Sequence, residues 1–203
     1  MKIKICGITH PDDALLAAEA GADFIGIIFS EKSKRSITMA RATEICAAIK
    51  HTHVKLTGVF VDQSQQEIMN VYEKLALDAI QLHGSIARAQ LNSLLHLNTI
   101  FYAMTPDCKK ISENLPINVI PLIDNAEAGS GKVFEWKTFT PPARCWALAG
   151  GLNHDNVSIA VTLLNPNIID VASGVEYRDS IRKDPNKLRQ FIQAAKIRRT
   201  IFA

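Results

Sequence analysis

Lys2-Ile3-Lys4-Ile5-Cys6-Gly7, at the start of the 203-residue chain, is the stretch from which the fold can be deduced. Its alternating apolar side chains predict a short β-strand over residues 2–6. A strand so close to a chain end rarely stays ordered unless it pairs inside a fold. A helix predicted over residues 12–20 ends at Gly21, and the continuous apolar run 24–29 is typical of a strand covered on both faces. The opening of the chain therefore predicts a strand-helix-strand unit with parallel strands.

The same alternation of strand and helix continues along the whole chain. Strands are predicted over residues 2–6, 24–29, 54–61, 78–83, 99–104, 118–124, 145–149 and 168–172. Helices are predicted over residues 12–20, 40–50, 65–74, 86–95, 153–163 and 185–195, with a weaker one over 107–114. About eight such units favour a closed (β/α)8 TIM barrel, a small single α/β domain over residues 1–203. An open doubly wound sheet is the alternative, although no Gly-x-Gly-x-x-Gly motif follows the first strand.

Composition argues against several classes of function. The net charge of +3 is too small to indicate a nucleic-acid partner or a membrane surface. None of the four cysteines forms a Cys-x-x-Cys pair, so neither a metal site nor a disulfide framework is predicted. Lys2 and Lys4 interrupt the first apolar residues, and no apolar run reaches the roughly 18 residues of a membrane span. We therefore expect a cytoplasmic protein.

Polar and glycine residues follow the apolar strands at the ends where parallel barrels carry their active sites. These predicted strand ends and the loops after them supply Cys6, Gly7, Arg35, Gln81, His83, Asp124, Gly150, Gly151, Ser173, Gly174 and Glu176. The strand interiors are mostly apolar. This asymmetry indicates a functional site at one end of the barrel.

Two short glycine-containing pairs predict a phosphate-binding site. Gly150-Gly151 follows the seventh predicted strand, and Ser173-Gly174 follows the eighth. Glycine lets backbone N–H groups approach an anion closely, and these two loops form the usual phosphate site of the fold. Either pair alone could simply make a tight turn. Their occurrence at both strand ends favours phosphate binding.

Cys6 and Asp124 are candidates for a catalytic base and acid. A lone cysteine at a strand end is often just a small buried apolar residue, and an aspartate there can be a turn or helix-cap residue. Asp124 closes the apolar run 119–123, where a carboxyl group is costly unless it is paired or faces a pocket.

Side-chain alternation links Cys6 to a charged residue on the same strand. Lys4 and Cys6 must point the same way, so Lys4 lies below Cys6 inside the barrel if Cys6 faces the site. The first and eighth strands are neighbours in a closed barrel, and Asp170 lies on the eighth. We therefore expect Lys4 to pair with Asp170 and to favour the Cys6 thiolate, because a nearby cation lowers a thiol pKa. The alternative is that Lys4 faces solvent.

Four residues, Arg35, Gln81, His83 and Gly7, are candidates for substrate binding. Arginine can hold a carboxylate in a bidentate fork, but Arg35 could also be an ordinary solvated loop charge. Gln81 and His83 share one face of the fourth predicted strand. His83 could donate to a ligand or cap the barrel rim.

Several motifs, in order along nearly the whole chain, resemble the phosphoribosylanthranilate isomerase family. They are Lys4-Ile5-Cys6-Gly7-Ile8, Gly21-Ala22-Asp23, Gly26-Ile27-Ile28-Phe29, Ser33-Lys34-Arg35-Ser36, Gly58-Val59-Phe60-Val61, Gln81-Leu82-His83-Gly84, Ala149-Gly150-Gly151-Leu152 and Ser173-Gly174-Val175-Glu176. Each match is weak alone, whereas the ordered set is specific.

The resemblance implies a (β/α)8 barrel of tryptophan biosynthesis. Its reaction converts N-(5-phosphoribosyl)anthranilate to 1-(2-carboxyphenylamino)-1-deoxyribulose 5-phosphate by an Amadori rearrangement. It assigns Cys6 as general base, Asp124 as general acid and Arg35 as the group that holds the anthranilate carboxylate. No redox change occurs, so no cofactor is expected. The expected partner is a small-molecule phosphosugar, and the chain is expected to be a monomer or a homodimer.

The sequence departs from the family pattern at a few positions. Lys34 replaces the usual proline before the arginine, and Ala128-Gly129-Ser130-Gly131 replaces a Gly-Gly-Thr-Gly loop. Two related phosphosugar barrels fit less well. A phosphoribosyl-imidazole isomerase needs an aspartate where Cys6 stands, and indole-glycerol-phosphate synthase needs lysine and glutamate at several strand ends. A phosphosugar-binding protein without catalysis would need neither Cys6 nor Asp124.

Overall fold

The computed structural model describes residues 1–108, 114–125 and 133–197, and within these ranges eight parallel strands form a closed barrel. The strands pair in chain order, and the eighth pairs with the first. They are β1 (Lys2–Ile5), β2 (Phe24–Ile28), β3 (Lys55–Phe60), β4 (Ala79–Leu82), β5 (Ile100–Met104), β6 (Val119–Ile123), β7 (Ala147–Leu148) and β8 (Ile168–Val171). The closed barrel predicted from the sequence is confirmed, and the open doubly wound sheet is wrong.

The helices lie outside the barrel. They are α1 (Pro11–Ala20), α2 (Met39–Ile49), α3 (Gln65–Leu75), α4 (Ser85–Ala89), α5 (Leu91–Leu94), α6 (Val157–Leu164) and α7 (Pro185–Lys196), and a 3₁₀ turn covers Ser173–Val175. The weak helix predicted over 107–114 has residues 109–113 outside the described ranges, as has the 128–131 loop.

Local side-chain chemistry sets where the helices begin and end. The Ser64 hydroxyl and the Glu67 carboxylate form a reciprocal capping box at the start of α3. Gly21 closes α1 in a left-handed conformation, as the sequence predicts. The Asp184 carboxylate caps α7, and Pro185 occupies the first helical position.

Two helix predictions differ from the structure. The helix predicted over 86–95 is interrupted at Gln90, where φ is −81° and ψ is −3°, so that two short helices replace one. The helix predicted over 153–163 begins only at Val157. The Asn153 and Asn156 side chains instead hold the preceding turn, in which Asn156 donates to the Gly151 carbonyl at 2.9 Å. Asparagine favours such local turns over helix interiors.

Strand alternation divides the apolar residues into two cores. Ile3, Ile5 and their counterparts on other strands pack outward against the helices. A second cluster fills the barrel interior, where the Phe24 and Phe101 rings meet edge to face at 5.4 Å. Polar side chains replace this filling towards the C-terminal ends of the strands. The barrel is therefore plugged below and open above, which leaves room for a site at one end only.

Candidate active site

A cavity of about 540 Å³ opens at the C-terminal ends of the strands, a size usual for a small-molecule site. The residues predicted to form the site line it, except Gly7, Gly174 and Glu176. Gly174 instead packs against the backbone of Leu152, where an added Cβ would lie 1.9 Å from the carbonyl oxygen. Asp170, which the sequence suggested only as a partner for Lys4, is also part of the wall.

Lys4 and Asp170 form the ion pair expected from strand alternation. They are direct cross-strand neighbours between β1 and β8, and the Lys4 Nζ lies 3.0 Å from both carboxylate oxygens. Lys4 has no solvent exposure, so it does not face solvent. Gly26 makes room for this arrangement, because a Cβ there would lie 2.8 Å from the Cys6 Sγ and 3.1 Å from the Lys4 Nζ.

The Cys6 thiol is protonated in the resting site. Burial raises its pKa above the ordinary value, the charge of Lys4 lowers it, and the charge of Asp170 raises it again. The expected influence of Lys4 is therefore present but does not dominate. Burial lowers the pKa of Lys4 itself, but Asp170 and the thiolate form of Cys6 raise it further, so Lys4 stays an ammonium ion. Any thiolate formed at Cys6 would have this cation beside it.

Asp124 is a carboxyl group poised to hold a proton near neutrality. It directly follows β6, where the Asn125 backbone N–H donates to its Oδ1 at 2.7 Å. Gly150 lies against it, since a Cβ there would lie 2.8 Å from the same oxygen. Burial, followed by the negative charge of Asp170, raises the pKa of Asp124 to about 6. The environment is that of a general acid.

The side chains of Gln81, His83 and Asp124 lie in a row. The Gln81 Nε2 lies 3.1 Å from the His83 Nδ1, and the His83 Nε2 lies 3.9 Å from the Asp124 Oδ2. Burial lowers the pKa of His83, which keeps its ring neutral at pH 7. An amide donor on Nδ1 places the ring proton on Nε2, the nitrogen that faces Asp124. His83 therefore faces Asp124, and Gln81 holds the His83 ring, while both residues line the cavity.

Arg35 is not a solvated loop charge. Its Nε and Nη2 donate to the two oxygens of Glu176 at 2.6 and 2.9 Å, and its side chain is 8% exposed. Lys183, which sequence reasoning did not single out, donates from Nζ to the same Glu176 at 3.0 Å. An isolated antiparallel β-bridge joins Glu176 and Lys183 within the loop after β8. No local sequence pattern predicts the contact between Glu176 and Lys183.

Gly7 serves Arg35 rather than the cavity wall. A Cβ at Gly7 would lie 2.4 Å from the Arg35 Cδ, and its φ of +68° is one that side chains rarely adopt. Only glycine lets the arginine stem cross the end of β1 at this height.

The loops after β7 and β8 present backbone groups to the cavity. Gly150 and Gly151 both have positive φ, at 83° and 67°. Among the described residues, no hydrogen bond occupies the backbone N–H groups of Gly150, Gly151 or Ser173. Free N–H groups on small residues at this end of a barrel suit a phosphate group.

No group of three or more His, Cys, Asp and Glu side chains within residues 1–108, 114–125 and 133–197 is arranged to hold a metal ion. In the same ranges, every helix is too short or too polar to cross a membrane.

The fold and the cavity define a class of protein, a (β/α)8-barrel enzyme whose cavity holds a carboxyl group, a thiol and backbone N–H groups on glycine-containing loops. Comparison with known proteins is more specific. The family model for N-(5'phosphoribosyl)anthranilate (PRA) isomerase matches residues 3–194. The chain belongs to this family, and it is therefore an isomerase of tryptophan biosynthesis.

Individual relatives agree over almost the full length. The chain is 44% identical to the N-(5'-phosphoribosyl)anthranilate isomerase of Chlamydia felis, over 97% of this chain and 98% of the relative. Monomers of the dimeric isomerase from Thermotoga maritima match with a TM-score of 0.81 and 32% identity, over 97% and 98% of the two chains. An isomerase solved with reduced 1-(o-carboxyphenylamino)-1-deoxyribulose 5-phosphate matches with a TM-score of 0.81 and 31% identity, over the same shares.

Proposed function

We propose that this chain isomerises N-(5-phosphoribosyl)anthranilate to 1-(2-carboxyphenylamino)-1-deoxyribulose 5-phosphate with Asp124 as general acid and Cys6 as general base. The observation that carries the assignment is that both groups line one cavity and have different charged neighbours. Asp124 has no cation in contact among the described residues and has a pKa of about 6, whereas Cys6 adjoins the Lys4–Asp170 ion pair. An acid and a base in different environments are what a proton-shifting reaction needs.

The reaction moves one hydrogen from C2 to C1 of the sugar. Asp124 donates its proton to the furanose ring oxygen, the C1–O bond breaks, and the nitrogen lone pair forms a protonated Schiff base at C1. The thiolate form of Cys6, which has first released its own proton to solvent, then removes the C2 proton, and the C–H electrons form the enolamine. Protonation at C1 and loss of the enol proton give the ketone. Each proton transfer of this kind contributes about 10²–10⁴-fold to the rate.

Lys4 and His83 support the two proton transfers. The Lys4 ammonium stabilises the thiolate that Cys6 must become before it accepts the C2 proton. The neutral His83 ring, held by Gln81, presents its Nε2 proton to Asp124 at 3.9 Å and stabilises the carboxylate left after ring opening. Such second contacts orient catalytic groups without taking part in bond changes.

The substrate is anchored at its two anionic ends. Gly150, Gly151, Ser173 and Gly174 form the phosphate-binding end, and their backbone positions after β7 and β8 support this assignment. Arg35 binds the anthranilate carboxylate, with Gly7 beneath its stem. Gln81 and His83 contact the sugar between them.

The protein acts in the cytoplasm on a free small molecule, without a nucleic-acid partner. Its state of assembly is a monomer or a homodimer, and the dimeric enzyme of Thermotoga maritima supports the second.

The assignment is tested by the fluorescence decay of freshly made phosphoribosylanthranilate. Wild-type protein should accelerate the decay, and Cys6→Ala and Asp124→Asn should each abolish nearly all of that acceleration while the circular dichroism spectrum is unchanged. Cys46→Ala, a half-buried cysteine on α2, is the matched control and should keep full activity. Full activity of Cys6→Ala would overturn the assigned base.

A further inference from the structure

The guanidinium of Arg35 is only partly used by the protein. A guanidinium has a side-on edge, made by Nε and one Nη, and an end-on edge, made by the two Nη atoms. Glu176 occupies the side-on edge, with Nε donating at 2.6 Å and Nη2 at 2.9 Å. Within the described ranges, no hydrogen bond involves Nη1. Arg35 also lines the cavity, so its end-on edge is the part left for a ligand.

Two contacts fix the direction of that edge. The Arg35 stem lies on Gly7, which has no side chain to displace it. The fork is held bidentately by Glu176, which is itself 5% exposed and ends the 3₁₀ turn after β8. A stem and a fork held at separate points leave the guanidinium plane little freedom to rotate.

In the cluster of Arg35, Glu176 and Lys183, basic groups outnumber acidic ones. Lys183 donates from Nζ to the Glu176 carboxylate at 3.0 Å and to the Ala172 carbonyl at 3.0 Å, and it is 1% exposed. Burial raises the pKa of Glu176, but Arg35 and Lys183 lower it further, so this residue remains a carboxylate. The Arg35 guanidinium and the Lys183 amine therefore share one buried carboxylate, which opposes the lowering of the Lys183 pKa by burial. A second carboxylate on the free edge of Arg35 would balance the charges.

We propose that Glu176 is a specificity-determining positioning residue, which aims the end-on edge of Arg35 at the ring carboxylate of the substrate. Glu176 touches no substrate atom and acts through Arg35, with Lys183 holding it in place. The enzyme thereby favours arylamines with an ortho carboxylate over arylamines without one. This inference rests on the proposed function, because it assumes an N-phosphoribosyl arylamine in the cavity.

The test compares two substrates on the same enzyme. One is the phosphoribosylamine of anthranilate, and the other is the phosphoribosylamine of aniline, which keeps the phosphate and lacks the carboxylate. The measured quantity is the ratio of their kcat/KM values. Wild-type protein should prefer the anthranilate compound. Glu176→Gln should lower that preference by roughly tenfold or more, mainly through KM, because an amide nitrogen would face an N–H of Arg35 and displace the fork.

Glu176→Asp is the second variant, in case the amide weakens the fold. It keeps the charge but is one methylene too short to reach both cations, so the preference should again fall. Asp13→Asn is the matched control. Asp13 is a buried acid that holds Arg182 and the Lys183 backbone N–H on the same loop without touching Arg35. Its loss should leave the preference unchanged, since loosening the loop alone does not turn the guanidinium.

The outcomes separate the two hypotheses. If wild-type protein turns over neither compound, the proposed function fails. If it prefers the anthranilate compound but folded Glu176→Gln and Glu176→Asp keep that preference, the positioning role is wrong. The variants would also keep that preference if Arg35 bound the phosphate, because both compounds carry a phosphate.

Discussion

Asp124 and Glu176 are two carboxyl groups at the mouth of one barrel, the first partly buried and the second buried, and they behave in opposite ways. Glu176 is 5% exposed and contacts two cations, so its pKa is lowered. Asp124 is 15% exposed and accepts one backbone N–H, and burial raises its pKa to about 6. Burial acts on both in the same direction. The neighbours therefore decide which carboxylate keeps its charge and positions others, and which one can carry a proton to the substrate.

The largest expected difference between replacing Asp124 and replacing Glu176 is in turnover. Asp124→Asn removes the proton donor and should lower kcat by about 10²–10⁴-fold. Glu176→Gln should act mainly on KM, because Glu176 reaches the substrate only through Arg35. Steady-state kinetics with phosphoribosylanthranilate measures both. A Glu176→Gln variant that loses as much kcat as Asp124→Asn would remove the distinction.

The second difference is in stability at neutral pH. Glu176→Gln leaves the Arg35 and Lys183 charges buried without their shared partner, and it should cost about 3–5 kcal/mol of unfolding free energy. The pKa of Glu176 is lower in the folded state, so its stabilisation is present above about pH 4.3 and is lost as the pH falls through the folded pKa. Urea unfolding at pH 7 and pH 4 should therefore show the smaller cost at pH 4.

Asp124→Asn should change the unfolding free energy in the opposite direction to Glu176→Gln. The raised pKa means that the folded state resists ionisation, so wild-type stability falls as the pH rises from 3.8 to about 6 and is level above that. Replacing the carboxyl by an amide should raise the unfolding free energy by at most about 3 kcal/mol at pH 8. It should have little effect below pH 3.8, where Asp124 is protonated in both states. Thermal unfolding at the two pH values tests this, and a loss of stability at pH 8 would contradict it.

A smaller effect is expected in the pH profile. The proposed mechanism needs a protonated Asp124 and an ionised Cys6. Below a pH of about 6 Asp124 is already protonated, so further acid only removes the Cys6 thiolate, and the acidic limb of kcat/KM should fall there. The basic limb should lie above the ordinary thiol pKa, because the pKa of Cys6 is raised. Glu176→Gln should leave the acidic limb in place. A shift of that limb would mean that the two carboxylates are coupled.

The smallest effect is expected from the row of Gln81, His83 and Asp124. Gln81→Leu keeps the size of the side chain but removes the amide that directs the His83 proton towards Asp124. We expect kcat to fall by less than about tenfold, since the contact to Asp124 spans 3.9 Å. His83→Asn should have a similar effect, and no additional loss is expected when the two changes are combined.

The barrel and its charged interior could be predicted because they follow from periodic rules. Alternation along β1, combined with closure of the sheet, was enough to place Lys4 against Asp170, and the structure confirms the pair. The roles of backbone turns were harder to predict. The interruption at Gln90 and the late start of α6 depend on local hydrogen bonds that compete with helix formation.

The electrostatic details could not be predicted, because they depend on the amount of burial. The sequence indicated that Lys4 would favour a thiolate at Cys6, but burial outweighs that influence. Lys183 is a second case. Its partner Glu176 lies seven residues earlier in an irregular loop, and nothing in the spacing indicates that both are buried.

The Lys4–Asp170 pair also bears on how the chain folds. Its two members are separated by 166 residues, so the N-terminal strand leaves the ribosome long before its partner on β8 exists. Until then, closing the barrel would bury an ammonium group without compensation, at a cost of several kcal/mol. An unfinished chain therefore has an electrostatic reason to stay open. Closure of the sheet and completion of the thiol site become one event, timed by the synthesis of the last strand.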